Sequence, residues 1–96
     1  MLELRPNCEA CDKDLPPSSG EAMICSFECT FCRDCVDGPL QNVCPNCGGG
    51  LTLRPVRPSA LLKACPPSTE RKGPGYDQDK HAELVAKYGA IPPHER

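Results

Sequence analysis

Eight of the nine cysteines in this 96-residue chain fall between positions 8 and 47 as four close pairs, Cys8/Cys11, Cys25/Cys29, Cys32/Cys35 and Cys44/Cys47. A CxxC pair turns the backbone so that both thiolates face one point, and four thiolates at about 2.3 Å form the closed tetrahedral shell of structural zinc. Eight thiolates make two such shells. The large apolar residues before position 57 are few, and a core of that size does not hold a small domain by itself. A structural zinc supplies an apparent ~10–16 kcal/mol, which is folding free energy when the unfolded chain has no preformed site.

Charge and context narrow the function classes. Met1 to Asn7 has neither a basic start nor an apolar stretch, and Cys8 lies too close to Met1 for a signal peptide to precede it. No run approaches the roughly 18 apolar residues of a membrane span. The chain therefore reads as soluble and cytoplasmic, with no membrane partner. In a reducing compartment CxxC pairs serve metal or redox chemistry rather than structural disulfides, and an odd number of cysteines points the same way. The formal net charge of −2 counts thiols as neutral, so each closed four-thiolate zinc shell makes the chain two charges more negative. An acidic protein is poorly suited to duplex nucleic acid. Arg54, Arg57, Lys63, Arg71 and Lys72 form a mildly basic stretch that keeps nucleic-acid binding as an alternative.

Three regions are expected: a metal module over 1–56, a Pro-rich connector over 57–75 and a C-terminal helix and tail over 76–96. Leu2-Glu3-Leu4-Arg5-Pro6 is echoed by Leu51-Thr52-Leu53-Arg54-Pro55, and the alternating leucines predict that these two segments pair as short strands. Their exposed leucines would suit a dimer, although the oligomeric state is open. Ala22-Met23-Ile24 reads as a strand, with Thr30-Phe31 returning beside it. Arg33 to Asp37 is expected to form one helical turn before Gly38-Pro39 stops it. Gly48-Gly49-Gly50 suits a metal knuckle, in which a tight turn aims backbone N–H groups at sulfur. Pro55, Pro58, Pro66, Pro67 and Pro74 predict an extended, semi-rigid connector. Asp77 to Tyr88 then predicts a helix, with Glu83/Lys87 as an i,i+4 pair and Gly89 as its stop. His81, Leu84, Val85 and Tyr88 share one face, expected to dock on the module.

Two partitions of the ligands are open in principle. Only two residues separate Cys29 from Cys32, which favours interleaving. Cys8, Cys11, Cys32 and Cys35 then form site 1, and Cys25, Cys29, Cys44 and Cys47 form site 2. The segment Cys25 to Cys35 bridges the ions, with Phe27 and Phe31 expected to pack between them. From Cys8 the intervening segments hold two, thirteen, three, two, two, eight and two residues. This spacing resembles that of the RING finger family, whose ligands interleave in a cross-brace. Cys29-Thr30-Phe31-Cys32 is similar to that family's His-x-Phe-Cys, with cysteine in place of histidine, and Cys44-Pro45-Asn46-Cys47 to its Cys-Pro-x-Cys. The resemblance implies a small zinc-stabilised α+β fold, RING-like, with short strands and one short helix. The openings Leu2 to Cys8 and Ile24 to Cys32 also resemble a family of short bacterial cysteine-rich proteins to which no function is assigned.

Many RING fingers are ubiquitin ligases, which position a conjugating enzyme and contribute no catalytic residue. Their docking surface usually carries a bulky aliphatic residue before the second ligand, an apolar residue, often Trp, before the seventh, and frequently a basic residue beside the eighth. This chain has Ala10, the Leu40 to Val43 region and Gly48 in those places. The expectation is therefore a non-enzymatic, zinc-binding interaction or adaptor protein with two Zn²⁺ ions and an unidentified protein partner. Ligase-like activity, a nucleic-acid-binding accessory and a thiol redox or metal-sensing role are the alternatives. Iron is the rival metal, since tetrahedral sulfur suits both. No catalytic or cofactor-binding residue is expected beyond the metal ligands. Cys65 reads as a spare linker thiol, and His81 and His94 as surface residues.

Overall fold

A three-stranded antiparallel sheet organises the chain in the computed structural model, which describes residues 1–96. Its strands are β1 (Ala22–Ile24), β2 (Thr30–Cys32) and β3 (Thr52–Leu53), in the order β2-β1-β3. Met23 stands opposite Phe31 on one side and Leu53 on the other, so β1 is the central strand. The β1–β2 hairpin closes through a loop in which the Glu28 amide donates to the Cys25 carbonyl at 3.0 Å and Glu28 has a φ of 67°. From β2 the chain enters the helix α1 (Arg33–Asp37) directly, with Cys32 as its extended N-cap residue. Gly38 ends α1, because a Cβ there would come within 2.9 Å of the Asp34 carbonyl oxygen. A left-handed turn at Gln41 and Asn42 then sends the chain toward Cys44.

The core lies between the sheet, α1 and the cysteine loops. Leu15, Phe31, Val36, Leu40 and Val43 are fully buried there, together with Cys8 and Cys44. Phe27 is 71% exposed at the tip of the β1–β2 loop, whereas Phe31 is only 1% exposed. The expected packing of both phenylalanines is thus corrected for Phe27. Phe31 is on a strand whose three residues are all buried, while Phe27 is on the loop outside the sheet.

The echoed Leu-rich segments do not form a two-stranded ladder. β3 pairs with β1, whose second edge is open once β2 occupies the first. The segment Leu2 to Pro6 carries no strand and is joined to its echo by a side chain instead. The Arg54 guanidinium donates to the carbonyls of Arg5 (2.9 Å), Leu15 (3.3 Å) and Pro16 (3.1 Å). Of the four echoed leucines only Leu4 and Leu51 are buried, and Leu53 is half exposed.

The connector is also less extended than its prolines predict. It makes a 3-10 turn at Ser59–Leu61 and is fastened to the amino-terminal segment. Arg57 donates to the carbonyls of Leu2 and Cys65, and the Ser68 amide to the carbonyl of Leu4. The Asn7 amide group bonds Lys72 in both directions, donating to its carbonyl at 2.7 Å and accepting from its N–H at 3.3 Å. Proline sets local φ, but tertiary hydrogen bonds decide where the segment lies.

The second helix, α2 (Gln78–Tyr88), forms as the sequence predicts, with the Asp77 carboxylate accepting from the Lys80 amide at 3.0 Å. Its His81 stripe docks on the module. His81 is 5% exposed, its Nε2 donating to the Leu40 carbonyl at 3.0 Å and its ring meeting Tyr76 edge-on, so it is not a surface residue. Glu83 and Lys87 form no ion pair; Lys87 Nζ instead lies 5.1 Å from the centre of the Tyr88 ring. No helix is long and apolar enough to cross a membrane.

Candidate metal centre

Local backbone structure delivers the cysteines to two places. In the first, the Glu9 amide donates to the Thr30 carbonyl at 2.9 Å and the Glu9 carboxylate accepts from the Thr30 amide, tying the Cys8–Cys11 turn to the start of β2. Arg5 holds the same carboxylate at 2.9 Å. Cys32 and Cys35 arrive on the end of β2 and on α1. The sulfurs of Cys8, Cys11, Cys32 and Cys35 consequently all lie within 4.8 Å of one another. Cys11 and Cys32 are 3.7 Å apart at sulfur. A regular tetrahedron with metal–sulfur bonds of about 2.3 Å has edges of about 3.8 Å, so this spacing fits a zinc-sized ion.

The second place lies under the β1–β2 loop. The turn Cys44 to Gly49 is closed by the Gly48 amide donating to the Cys44 carbonyl (2.8 Å) and the Cys44 amide to the Gly49 carbonyl (2.9 Å). It brings Cys44 and Cys47 within 4.8 Å of Cys25 at sulfur. Cys29, the fourth expected member, is not within that distance of all three. Its sulfur accepts from Asn46 Nδ2 at 3.4 Å, which keeps it beside the same turn. The grouping joins thiols that are distant in sequence and is compatible with a cross-brace. Cys65 and the two histidines lie outside both clusters.

Amide donors surround the sulfurs. N–H groups of Cys11, Phe27 and Gly49 point at the sulfurs of Cys8, Cys25 and Cys47 at 3.4–3.5 Å. Such bonds disperse thiolate charge, as the outer shell of a metal site does. Without a cation the thiols compete for charge. The hydrogen bond from Cys44 holds Cys29 down at about 5, and the same bond pushes Cys44 far up. Burial raises Cys25 to about 11. In the first cluster burial opposes ionisation of Cys8, yet backbone donors at Cys11, Cys32 and Ala10 prevail and lower it, while burial raises Cys32 and Cys35. Full ionisation of either cluster needs a cation among the sulfurs, and each cluster has the donor chemistry to hold one metal ion.

Sequence reasoning misses the side chains that support these clusters. Asn46 could have been suspected, since it stands inside a knuckle where a donor reaches sulfur. Glu9 and Arg54 carry no local signal, because their partners are 21 or more residues away, Arg5 excepted. Gly48 is fitted twice over. Its φ is 79°, and a Cβ would lie 2.8 Å from Tyr88 Cδ2. Gly48→Ala is expected to cost about 1–3 kcal/mol from left-handed strain alone. Thermal unfolding measures this, and an unchanged midpoint would refute the placement of Tyr88 over the knuckle.

The fold and its thiols define a small cysteine-rich α+β protein with two metal-compatible clusters. The chain belongs to the family described as "Protein of unknown function (DUF1272)", whose family model matches residues 1–57. It is also 65% identical over 71 residues to a protein of Rhizobium meliloti (strain 1021) described as uncharacterized, an alignment covering 74% of this chain and 84% of the relative. No solved structure matches it.

Proposed function

We propose that the chain is a non-catalytic adaptor, folded around two zinc ions, that presents a fixed surface to a protein partner. The observation that carries this reading is the convergence of Cys8, Cys11, Cys32 and Cys35, from two separate stretches of chain, on one point. Four thiolates close a zinc shell and leave no position for a reacting water, which favours a structural ion over a hydrolytic one. The second ion would be held by Cys25, Cys44 and Cys47, with Cys29 moving onto the metal. Protein contact is favoured by apolar side chains left in solvent, Phe27 at the hairpin tip and Leu53, Val56 and Leu61 along the start of the connector. A shallow cavity of about 250 Å³ lies at Val56, lined also by Leu2, Leu4 and Pro55.

Both principal alternatives lose support. In the basic stretch, Arg54 and Arg57 are spent on backbone carbonyls and Arg71 on Asp12 and Asp14, leaving little free charge for phosphate. Of the positions that a ligase would use, Ala10 is partly buried and those near the later ligands are mostly turned inward. Leu40 and Val43 are fully buried, and Gly48 lies beneath Tyr88.

Native mass spectrometry of the untagged protein from its own host, set beside the acid-denatured sample, tests the proposal. Two zinc ions and a co-purifying chain are expected. Iron, a single ion or none would reject the zinc reading, and a metal-loaded protein without any companion at physiological concentration would reject the adaptor.

A further inference from the structure

The contacts of α2 and the residues after it fall on one short stretch of the module. His81 bonds the Leu40 carbonyl, and Tyr88 and Leu84 pack where Gly48 has no side chain. Pro93 occupies the corresponding space at Gly50, where a Cβ would come within 2.7 Å of its ring. Arg96 reaches back over the same turn, donating from Nη1 to the carbonyls of Asn42 (2.8 Å) and Gly48 (3.0 Å). All of these seats lie between Leu40 and Gly50, the stretch that supplies Cys44 and Cys47. The first knuckle is gripped by different residues, with Lys72 on Asn7, Arg71 on Asp12 and the Gly75 amide on the Glu9 carbonyl.

We propose that α2 and the tail to Arg96 are positioning elements for the second cluster alone, docking when Cys25, Cys29, Cys44 and Cys47 hold their ion and releasing when it is removed. This rests on the zinc reading above. The seats are three backbone carbonyls and two glycine Cα positions; those at Gly48 belong to the Cys44 to Gly49 turn itself, and those at Asn42 and Gly50 flank it. An ion held by Cys25, Cys44 and Cys47 would tie that turn to the start of the β1–β2 loop. An ion fixes the turn, and the turn fixes the helix. Linkage makes the effect reciprocal, so a docked helix must tighten the ion. Outer supports of this kind typically alter metal affinity by about 10–100-fold. Release would uncover His81, Leu84 and Tyr88 together, converting a local metal loss into a new apolar surface.

The test uses the full-length, two-zinc protein and its Tyr88→Ala and Leu84→Ala variants, neither altering a thiol. Native mass spectrometry counts the ions at the outset, and a chelator then removes them in two kinetic steps. The variants should lose one ion about 10–100-fold faster and the other at the wild-type rate. In parallel, hydrogen exchange on the wild type should show protection of α2 collapsing with loss of one ion and not the other. Cys44→Ser, where it folds, assigns the sensitive ion. Two ions released at wild-type rates in both variants, or α2 still protected after both are gone, would overturn the inference. Absence of bound metal at the outset would overturn the zinc reading itself, a distinct result.

Discussion

Cys44→Ser should leave the protein with no more than one bound ion and without a stable fold around the second cluster. Cys44 is completely buried, and its sulfur is grouped with those of Cys25 and Cys47. Serine keeps the volume approximately but offers a hydroxyl that is not ionised and binds zinc weakly, so the shell loses a charge and a bond together. The loss is comparable with the whole stability of a small domain, since a structural zinc supplies ~10–16 kcal/mol and ordinary domains are stable by about 5–15 kcal/mol. It should not stay local. Cys25 opens the β1–β2 loop and Cys32 ends β2, so one hairpin carries members of both clusters, and Phe31 is buried in the same core as cysteines of each. Cys65→Ser is the control, because that thiol lies outside both clusters and should leave metal content and midpoint unchanged. Metal counting with hydrogen exchange of the β1 amides is the measurement. Retention of two ions and native protection by Cys44→Ser would exclude the second cluster as a metal site.

The legible part of this molecule is the part whose information is local or periodic. Four cysteine pairs at fixed spacing announced two clusters, and the interleaved grouping is met in full for Cys8, Cys11, Cys32 and Cys35 and for three of the four expected members, Cys25, Cys44 and Cys47, of the second. The β1–β2 hairpin, the single turn of α1 before Gly38 and the capped helix from Asp77 were likewise readable, because each depends on neighbours a few residues apart. The apolar stripe on α2 predicted docking correctly, since a helix that marginal in length needs a surface to pack on.

Where the expectations failed, a distant partner had decided the outcome. The Leu2 to Pro6 echo looked like a strand pair, but a sheet edge at β1 was the better partner for Thr52–Leu53, and nothing in either five-residue stretch reports on β1. His81 looked like surface because the hydrogen-bond partner of its ring, the Leu40 carbonyl, is 41 residues away. Phe27 and Phe31 are the same residue type, and what puts one out and the other in is that the loop between the strands holds Phe27 while β2 holds Phe31. The connector's prolines argued for an extended, semi-rigid spacer, while Asn7, Arg57 and Arg71 fasten it down through contacts with large sequence separations.

Arg54→Met should be the most damaging substitution outside the cysteines, destabilising the loaded protein by about 3–5 kcal/mol. Arg54 is only 4% exposed, and burial lowers its pKa below the ordinary guanidinium value. No carboxylate pairs with it. Its charge is met by three carbonyl oxygens, those of Arg5, Leu15 and Pro16, which come from the segment before the first knuckle and from the loop after it. Methionine retains the apolar stem and removes three bonds from a charged donor, each about 1.5–3 kcal/mol before relaxation; the contact with Leu15 is buried and those with Arg5 and Pro16 are part-buried. Lysine is the sharper comparison. It keeps the charge but is a single compact donor centre, and it cannot bridge three acceptors in the way a planar guanidinium fork does. Arg54→Lys should therefore recover only part of the loss, and that part measures charge separately from geometry. Chemical unfolding of the zinc-loaded protein supplies the values. If both variants unfold within about 0.5 kcal/mol of wild type, the ordinary range of surface substitutions, then Arg54 does not join the two halves of the amino-terminal module. The expected order, wild type above Lys above Met with two ions retained in each, separates this junction from the metal sites, which lie on other side chains.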